Sequence, residues 1–314
     1  MPVKQPSTSV DLLAKMKAIE ARALQRSQQR REQAALPLQT AESPPPVAKV
    51  VKLPLWPEAV RAVPNGFLRS ALFGAIRRGA RRYMKREQIA ALEGVEIYYT
   101  GERLDQGDLD VWEMILHIAR LQGLGNECRV TAYQLLKALG KTDTGKNREI
   151  LDIRLSRMKA TGVDVHIGRY GYEGSLIDEV YRDKETREYV FRANPKLRSM
   201  FEPDQFTHID WSVRRELDGQ PLAQWLHGFY ASHAKPYPIS VGKLRQLCGS
   251  DYERLDNFRR DIRKALDSLE KASMKYGQAF TYKICNDVIY TDKEPTKSQR
   301  KHLETKMRKN NKNR

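Results

Sequence analysis

The sequence predicts an α+β protein with two tandem winged-helix domains, a flexible N-terminal extension and a basic C-terminal tail. Two stretches carry this prediction. Residues 241–291 indicate a short helix, a turn, a longer basic helix and two β-rich runs, and residues 131–193 repeat that order. This is the order of a winged helix-turn-helix, in which the second helix enters the DNA major groove. The net charge of +17 over 314 residues supports it, because a strongly basic chain favours a polyanionic partner.

The longer basic helix is predicted from residues 249–271. Its apolar residues recur at spacings of three and four, which indicates one buried stripe; they are Leu255, Phe258, Ile262, Leu266 and Leu269. The candidate DNA-binding residues lie on or beside the opposite face: Arg254, Asn257, Arg260, Arg263 and Lys264. The alternative interpretation is a solvated basic face. After this helix, Asn286-Asp287 between two β-rich runs predicts a hairpin.

The earlier stretch has the same pattern. Asp108 is expected to cap a helix ending near Gln122, and Thr131 to start a short helix ended by Gly140. A longer helix to Ala160 then carries further candidate DNA-binding residues: Lys146, Arg148, Arg154 and Arg157. We expect strands at 163–167, 175–181 and 187–193, and a flexible wing tip at 168–174 that holds Arg169.

These patterns divide the chain into four parts. Residues 1–55 form an N-terminal extension and a proline-rich linker, since three consecutive prolines within 36–50 are typical of an extended linker. Residues 56–205 are the first winged-helix domain and residues 206–292 the second. The basic tail, residues 293–314, lacks hydrophobic periodicity and is predicted to be disordered.

A dense basic cluster follows an apolar face within residues 64–86. Its members are Arg77, Arg78, Arg81, Arg82 and Lys85. Like charges this close repel one another unless an anion neutralises them, so the cluster predicts contact with phosphates. The alternative is the solvated end of a basic helix.

Several other classes of protein are disfavoured. No apolar run approaches the ~20 residues that span a bilayer, and three widely spaced cysteines are typical of buried thiols in a reducing cytoplasm. The six histidines have no paired metal-ligand spacing, and Leu135 stands where a P-loop needs glycine. We therefore predict a cytoplasmic, non-enzymatic protein without a membrane contact, metal or cofactor.

An ordered set of short segments resembles a known family. The segments are WP at 56–57, RAVPN at 61–65, RSALF at 69–73, YTG at 99–101, VW at 111–112, LSRM at 155–158, PYP at 236–238 and CGSD at 248–251. In this order they are similar to the TrfA-type replication initiators of broad-host-range plasmids, within the wider class of iteron-binding Rep proteins.

The resemblance implies two winged-helix domains that bind direct repeats, called iterons, in double-stranded origin DNA. It also implies opening of an adjacent AT-rich segment, possible contact with its single strands, and recruitment of the host initiator, replicative helicase and sliding clamp. Self-association of excess initiator would couple origins and limit copy number. Two imperfect peptides resemble the clamp-binding pattern, which uses a glutamine and two apolar side chains. Their candidate residues are Gln33, Leu36 and Leu38 in the first, and Leu53, Leu55 and Trp56 in the second.

Three functional hypotheses follow. In the first, an initiator places helices 146–159 and 254–264 in successive major grooves about one turn, ~10 bp, apart. Arg260 and Asn257 are then the candidates for reading bases. The residues expected to hold phosphates are Arg254, Lys264, Arg148, Arg154 and Arg157. In the second, a winged-helix transcriptional repressor binds a palindromic operator as a dimer. The third is an enzyme such as a nickase or primase.

Overall fold

The computed structural model describes residues 21–22, 25–26, 52–76, 79, 81–122, 127–168, 170–183, 185–186 and 188–312. Six candidate residues lie outside this part of the chain: Gln33, Leu36, Leu38, Arg77, Arg78 and Arg169. Contacts between Cα atoms divide the protein into residues 1–49 and residues 50–314. All that follows concerns the second unit, whose mixture of helices and strands confirms the predicted α+β class.

The helices and strands follow one another in this order. The first half contains β1 (Val60–Pro64), α1 (Asn65–Leu68), β2 (Phe73–Gly74), β3 (Tyr83–Gln88), β4 (Val95–Glu102), β5 (Leu104–Asp105), α2 (Gln106–Gln122), β6 (Cys128–Thr131), α3 (Ala132–Ala138), α4 (Gly145–Lys159), β7 (Gly162–Ile167), β8 (Tyr170–Gly174), β9 (Glu179–Arg182) and β10 (Glu188–Arg192). The second contains a 3-10 helix (Pro195–Phe201), β11 (Phe206–Asp210), α5 (Trp211–Glu216), α6 (Pro221–Ala231), β12 (Ile239–Ser240), α7 (Val241–Leu247), α8 (Leu255–Lys275), β13 (Phe280–Cys285), β14 (Val288–Lys293) and α9 (Lys297–Lys312).

Two segments of the chain have the same topology. We call α2, β6, α3, α4, β9 and β10 the first module, and α6, β12, α7, α8, β13 and β14 the second. Each runs helix, strand, helix, helix, strand, strand, and their sheets have the equivalent orders β6-β10-β9 and β12-β14-β13. This is the element order predicted for a winged helix, with α4 and α8 in the position of the recognition helix.

The wing of the first module is not where the sequence placed it. Residues 170–174 form the second strand of a β7–β8 hairpin, which joins β3 and β4 in a sheet of order β3-β4-β7-β8. The hairpin that closes the module is β9–β10. Both hairpins have alternating apolar residues. The two hairpins differ in that Val163 and Val165 of β7 pair with the distant strand β4. Local periodicity does not reveal which distant strand a hairpin pairs with.

The apolar and basic stretch at 64–86 is not a continuous helix either. Its described residues form the end of β1, one helical turn, β2 and the start of β3. Phe67 and Phe73 lie with their ring centroids 5.2 and 6.1 Å from that of Trp112 on α2. This tertiary packing outweighs the helix-like spacing of the apolar residues.

The second module closely follows its predicted pattern. The apolar stripe of α8 is buried from Phe258 to Leu269 and packs in one core with α6 and α7. Asn286 and Asp287 have φ angles of +48° and +60°, as the two central residues of a type I′ hairpin turn require. The turn aligns β13 and β14 in the predicted register.

The C-terminal residues form helix α9, so the prediction of a disordered tail is wrong for 297–312. Thr296 begins it: its hydroxyl accepts the Gln299 amide at 3.3 Å. The Gln299 side chain then donates to the Ala231 carbonyl of α6 at 2.7 Å. Lys, Arg, Gln and Glu are good helix formers. The Thr296 cap and the Gln299–Ala231 hydrogen bond stabilise this helix, although its sequence lacks hydrophobic periodicity. No helix in the described part of the chain is long and apolar enough to cross a membrane.

Candidate nucleic-acid interface

The first half of α8 presents a basic face to solvent. Opposite its buried stripe, five predicted DNA-binding residues are exposed together: Arg254, Asn257, Arg260, Arg263 and Lys264. Arg260 has 63% of its side chain exposed and only a 3.3 Å contact with Asp261. Its guanidinium is therefore free to meet a ligand.

One important residue of this face was not predicted. Arg259 binds Asp256 one turn earlier at 2.5 Å and Asp287 in the β13–β14 turn, with Nε 2.9 Å from Oδ1. Hydrogen bonds from Arg259 lower the pKa of Asp287. The pair fixes the wing turn against the recognition helix. The i, i+3 spacing of Asp256 and Arg259 is visible in the sequence, whereas the approach of Asp287 depends on the hairpin register.

The exposed face of α4 is less basic than predicted. Lys146 and Arg148 are exposed near its N-terminus. Arg148 is held by Asp143 through two hydrogen bonds of 2.6 and 2.7 Å. Ile153 lies farther along the helix and is 49% exposed, so this helix offers an apolar contact as well as two cations.

Arg154 and Arg157 face inward, as does Arg81 from the predicted phosphate cluster. Arg154 Nη1 lies 2.5 Å from Asp105 Oδ1 and 2.8 Å from Asp108 Oδ1. Arg157 Nη1 also lies 2.8 Å from Asp108 Oδ1. Arg81 binds both carboxylates. These three arginines are internal partners of buried carboxylates, which corrects their assignment to phosphate contacts.

The two carboxylates also start helix α2. The Asp108 amide donates to Asp105 Oδ1 at 2.8 Å, and the Asp105 amide donates to Asp108 Oδ2 at 2.9 Å. This is a reciprocal cap, so the capping residue is Asp105 rather than Asp108. Burial alone would raise the pKa of Asp105, but Arg154 and Arg81 lower it well below its usual range.

The predicted phosphate cluster is therefore divided. Lys85 is exposed on β3, and Arg82 is exposed just before that strand and pairs with Glu87. Arg81 points into the internal network, 9% exposed. Within the part of this cluster that the structure describes, Arg82 and Lys85 remain as candidates for phosphate contact.

The second clamp-like peptide is part of the core. Leu53 and Trp56 are buried, while Leu55 is exposed. The Trp56 indole donates to His117 Nδ1 at 2.9 Å and stacks on Phe201 with centroids 6.2 Å apart. A clamp groove needs an extended peptide with free apolar side chains, so the expectation for Leu53 and Trp56 is wrong.

A buried ion-pair group joins the two modules. Arg214 of α5, which leads into the second module, is 1% exposed. Its Nε lies 2.6 Å from Asp110 Oδ1 and 2.6 Å from Glu113 Oε1, both on α2 of the first module. Its Nη2 donates to the Gln106 carbonyl at 3.1 Å. We call Arg214, Asp110 and Glu113 the inter-module cluster.

The turn that precedes α8 is also fastened to the first half of the chain. The Ala75 amide donates to the Cys248 carbonyl at 2.7 Å. Arg103 binds Asp251 and the Gly249 carbonyl. These contacts hold the start of the second recognition helix near β2 and β5. The inter-module cluster is therefore not the sole connection between the two modules in the described part of the chain.

Within the described ranges, no group of three or more His, Cys, Asp or Glu side chains could hold a metal ion. Of the cysteines there, Cys128 and Cys248 are buried, and Cys285 is half-buried. Burial raises the pKa of the Cys128 thiol to about 11. The interface is thus composed of cations, amides and apolar side chains.

Comparison with known proteins gives three similarities to this chain. The plasmid replication initiator protein TrfA of Escherichia coli is 28% identical over 227 residues, which cover 70% of this chain and 59% of the relative. The chain thus spans about 59% of that relative's length. A crystal structure of selenomethionine derivatives of domains 2 and 3 of RctB has a TM-score of 0.50 at 13% identity, covering 74% of this chain and 96% of that one. Another structure of RctB domains 2–3 has a TM-score of 0.47 at 12% identity, covering 72% and 96%.

The similarity to the selenomethionine structure concerns the fold alone. A family profile gives the stronger result, since the profile of the TrfA protein family matches residues 24–289, most of the chain. The protein belongs to the TrfA family.

Proposed function

We propose that this chain is a plasmid replication initiator that binds direct repeats, the iterons, in double-stranded origin DNA. The observation that carries the proposal is the exposed basic face of α8, braced by Arg259 against its wing. A second helix of equivalent topology, α4, lies in the same compact unit. Family membership and the name of the Escherichia coli relative support the same role.

In this proposal, side chains of α8 contact the bases. Arg260 suits guanine, because a guanidinium donates to both O6 and N7, and Asn257 suits adenine. Arg254, Arg263 and Lys264 at the margins hold phosphates and set the register. On α4, Lys146 and Arg148 hold phosphates near the helix start, and Ile153 supplies an apolar contact with a thymine methyl.

Two unlike modules in one chain favour an asymmetric site. A monomer that places α4 and α8 in successive major grooves reads two different blocks about one turn, ~10 bp, apart. Tandem copies of such a site are direct repeats. The alternative function, a repressor, would bind a palindrome as a symmetric dimer, because the two-fold axis of the protein repeats in its operator.

The later steps rest on the family and the relative's name. Bound initiator opens an adjacent AT-rich segment, engages its single strands and recruits the host initiator and replicative helicase. In this proposal residues 33–38 contact the sliding clamp, because Leu53 and Trp56 of the second clamp-like peptide are buried. Self-association of excess protein limits copy number. In this proposal the protein acts in the cytoplasm by binding, with neither a catalytic step nor a cofactor.

Replacing Arg260 by alanine tests the assignment of α8. We expect binding to the preferred site to weaken by ~1–3 kcal/mol, with one base position relaxed, because a bidentate contact with guanine is lost. Titration of fluorescent duplexes that vary at each position, at one stated salt concentration, measures both effects.

The matched control is Arg215→Ala, which removes an equal charge from an exposed residue of α5, outside both recognition helices. It should leave the base preference unchanged. The assignment of Arg260 fails if Arg260→Ala binds every duplex as tightly as the parent.

A further inference from the structure

A second candidate site lies away from the proposed DNA face. It is a cavity of about 370 Å³ where β1 and β11 meet α6, the end of α8 and the segment leading to α9. Leu269 and Ser273, on the buried side of α8, line it. Because Asn257 and Arg260 lie on the opposite side of that helix, a ligand in this cavity would be separate from bound DNA.

The polar lining of the cavity is rich in cations and hydrogen-bond donors. It includes Lys293, Arg300, His208, His227, Tyr230 and Thr296. The acidic members are Asp210 and Glu294. Asp210 is already engaged, since Oδ1 accepts the Ser212 and Val213 amides at 2.9 and 3.0 Å, and Oδ2 accepts the Gln278 side chain at 2.8 Å. Glu294 is exposed to solvent.

His227 is the residue that points most directly to a ligand. It is 5% exposed, and its Nδ1 has no hydrogen-bond partner among the residues that the structure describes. Buried polar atoms are nearly always hydrogen-bonded, so an unpaired one in a cavity wall calls for a partner. Burial, together with the nearby charges of Arg214 and Lys293, lowers the pKa of His227 to about 3. The ring is therefore neutral at pH 7, with one N–H to donate.

Lys293 supplies the positive charge. Its ammonium donates to Gln299 Oε1 at 3.1 Å, and within the described part of the chain it forms no ion pair with a carboxylate. Burial lowers its pKa to about 8, so it is still mostly protonated at pH 7. A half-buried ammonium without a counter-ion attracts an anion. Helix α9 begins at Lys297, directly after Thr296, and places the positive end of its dipole at the same wall.

We propose that this cavity binds a small phosphorylated compound, with Lys293 as its counter-ion and His227 as a hydrogen-bond donor to the phosphoryl oxygens. Several donors, Arg300 and a helix N-terminus converge here, which matches the three oxygens of a phosphoryl group better than the two of a carboxylate. Leu269 and Phe280 offer apolar contacts, and the volume lies in the range typical of small-molecule sites. The proposal does not depend on DNA binding.

The test titrates the full chain with inorganic phosphate at pH 7, with total ionic strength held constant by sodium chloride. The parent should bind saturably by calorimetry. Lys293→Met should weaken the affinity at least tenfold, and Lys293→Arg should retain it within about threefold. The matched control is Lys283→Met, which removes the same charge from an exposed residue of the same hairpin and should change the affinity less than twofold.

Three results would overturn the proposal. If Lys293→Met and Lys283→Met respond alike, or if the parent titration never saturates, phosphate only screens a basic surface. If the His227 imidazole resonance, assigned with His227→Gln, does not move during the parent titration, the ligand lies elsewhere. If acetate binds as tightly as phosphate, the site is not selective for a phosphoryl group. Lys293→Met should leave DNA affinity unchanged, which separates this test from that of the DNA interface.

Discussion

Replacing Arg214 by methionine is expected to lower the free energy of unfolding by about 3–5 kcal/mol, because the change removes the buried partner of Asp110 and leaves polar groups of the inter-module cluster unpaired. Glu113 is 0% exposed in its side chain and lies 2.6 Å from Arg214 Nε, as does Asp110. Urea-induced unfolding of the parent and the variant at pH 7 measures the difference.

A surface pair and a double variant serve as controls. Lys275→Met breaks the exposed pair with Glu216 and should have a much smaller effect, because solvent screens such pairs. Adding Glu113→Leu to Arg214→Met should restore part of the stability, since an apolar replacement of a buried pair is often neutral. A loss for Arg214→Met no larger than that for Lys275→Met would contradict the role of the inter-module cluster.

The same variant tests whether the interface sets the spacing of the two recognition helices. On duplexes whose two half-blocks are moved apart by one or two base pairs, the parent should bind far more weakly than on its preferred site. Arg214→Met should discriminate less between these duplexes, because α4 and α8 are then less firmly positioned. Equal discrimination by the two proteins would show that other contacts, such as those of Arg103, set the spacing of α4 and α8.

Lowering the pH from 7 to 4 is expected to destabilise the fold by several kcal/mol. Burial lowers the pKa of His227 to about 3 and that of His233 to about 4, against ~6.5 in an unfolded chain. Between those values the unfolded state binds protons that the folded state does not. The contribution of these two histidines to stability is therefore complete above about pH 6.5 and falls as the pH drops, by about 1.4 kcal/mol per pH unit for each histidine.

Urea unfolding at intervals between pH 7 and 5 measures this slope, above the range in which most carboxylates titrate. Substituting both buried histidines by glutamine should flatten the curve. Substituting His166, whose side chain is 56% exposed, should leave it nearly unchanged. An unaltered slope in the double variant would show that His227 and His233 are not the source of the acid sensitivity.

Local periodicity was sufficient for the second module. The stripe is buried from Phe258 to Leu269 as predicted, and the Asn286-Asp287 turn has the expected backbone. Thr131 caps α3 with the reciprocal bonds of a capping box. In each case the determining residues are neighbours in the sequence, so their spacing contains the structural information.

Long-range pairing explains what the sequence did not predict. Arg154 and Arg157 have the spacing of a solvated helix face, and their partners, Asp105 and Asp108, lie some fifty residues earlier at the start of α2. A basic residue that meets a buried carboxylate looks the same in sequence as one that meets DNA. Trp56 likewise resembles an exposed docking residue until its contacts with His117 and Phe201 are known.

The most direct test of the proposed function is selection of binding sites from random duplex DNA with the purified protein, at a stated salt concentration because affinity falls steeply with salt. We expect one long asymmetric site, read in two blocks about a helical turn apart, because two unlike recognition helices lie in one compact unit. A palindromic consensus would contradict this and favour a dimeric repressor. Absence of any sequence preference would leave a basic protein that coats DNA.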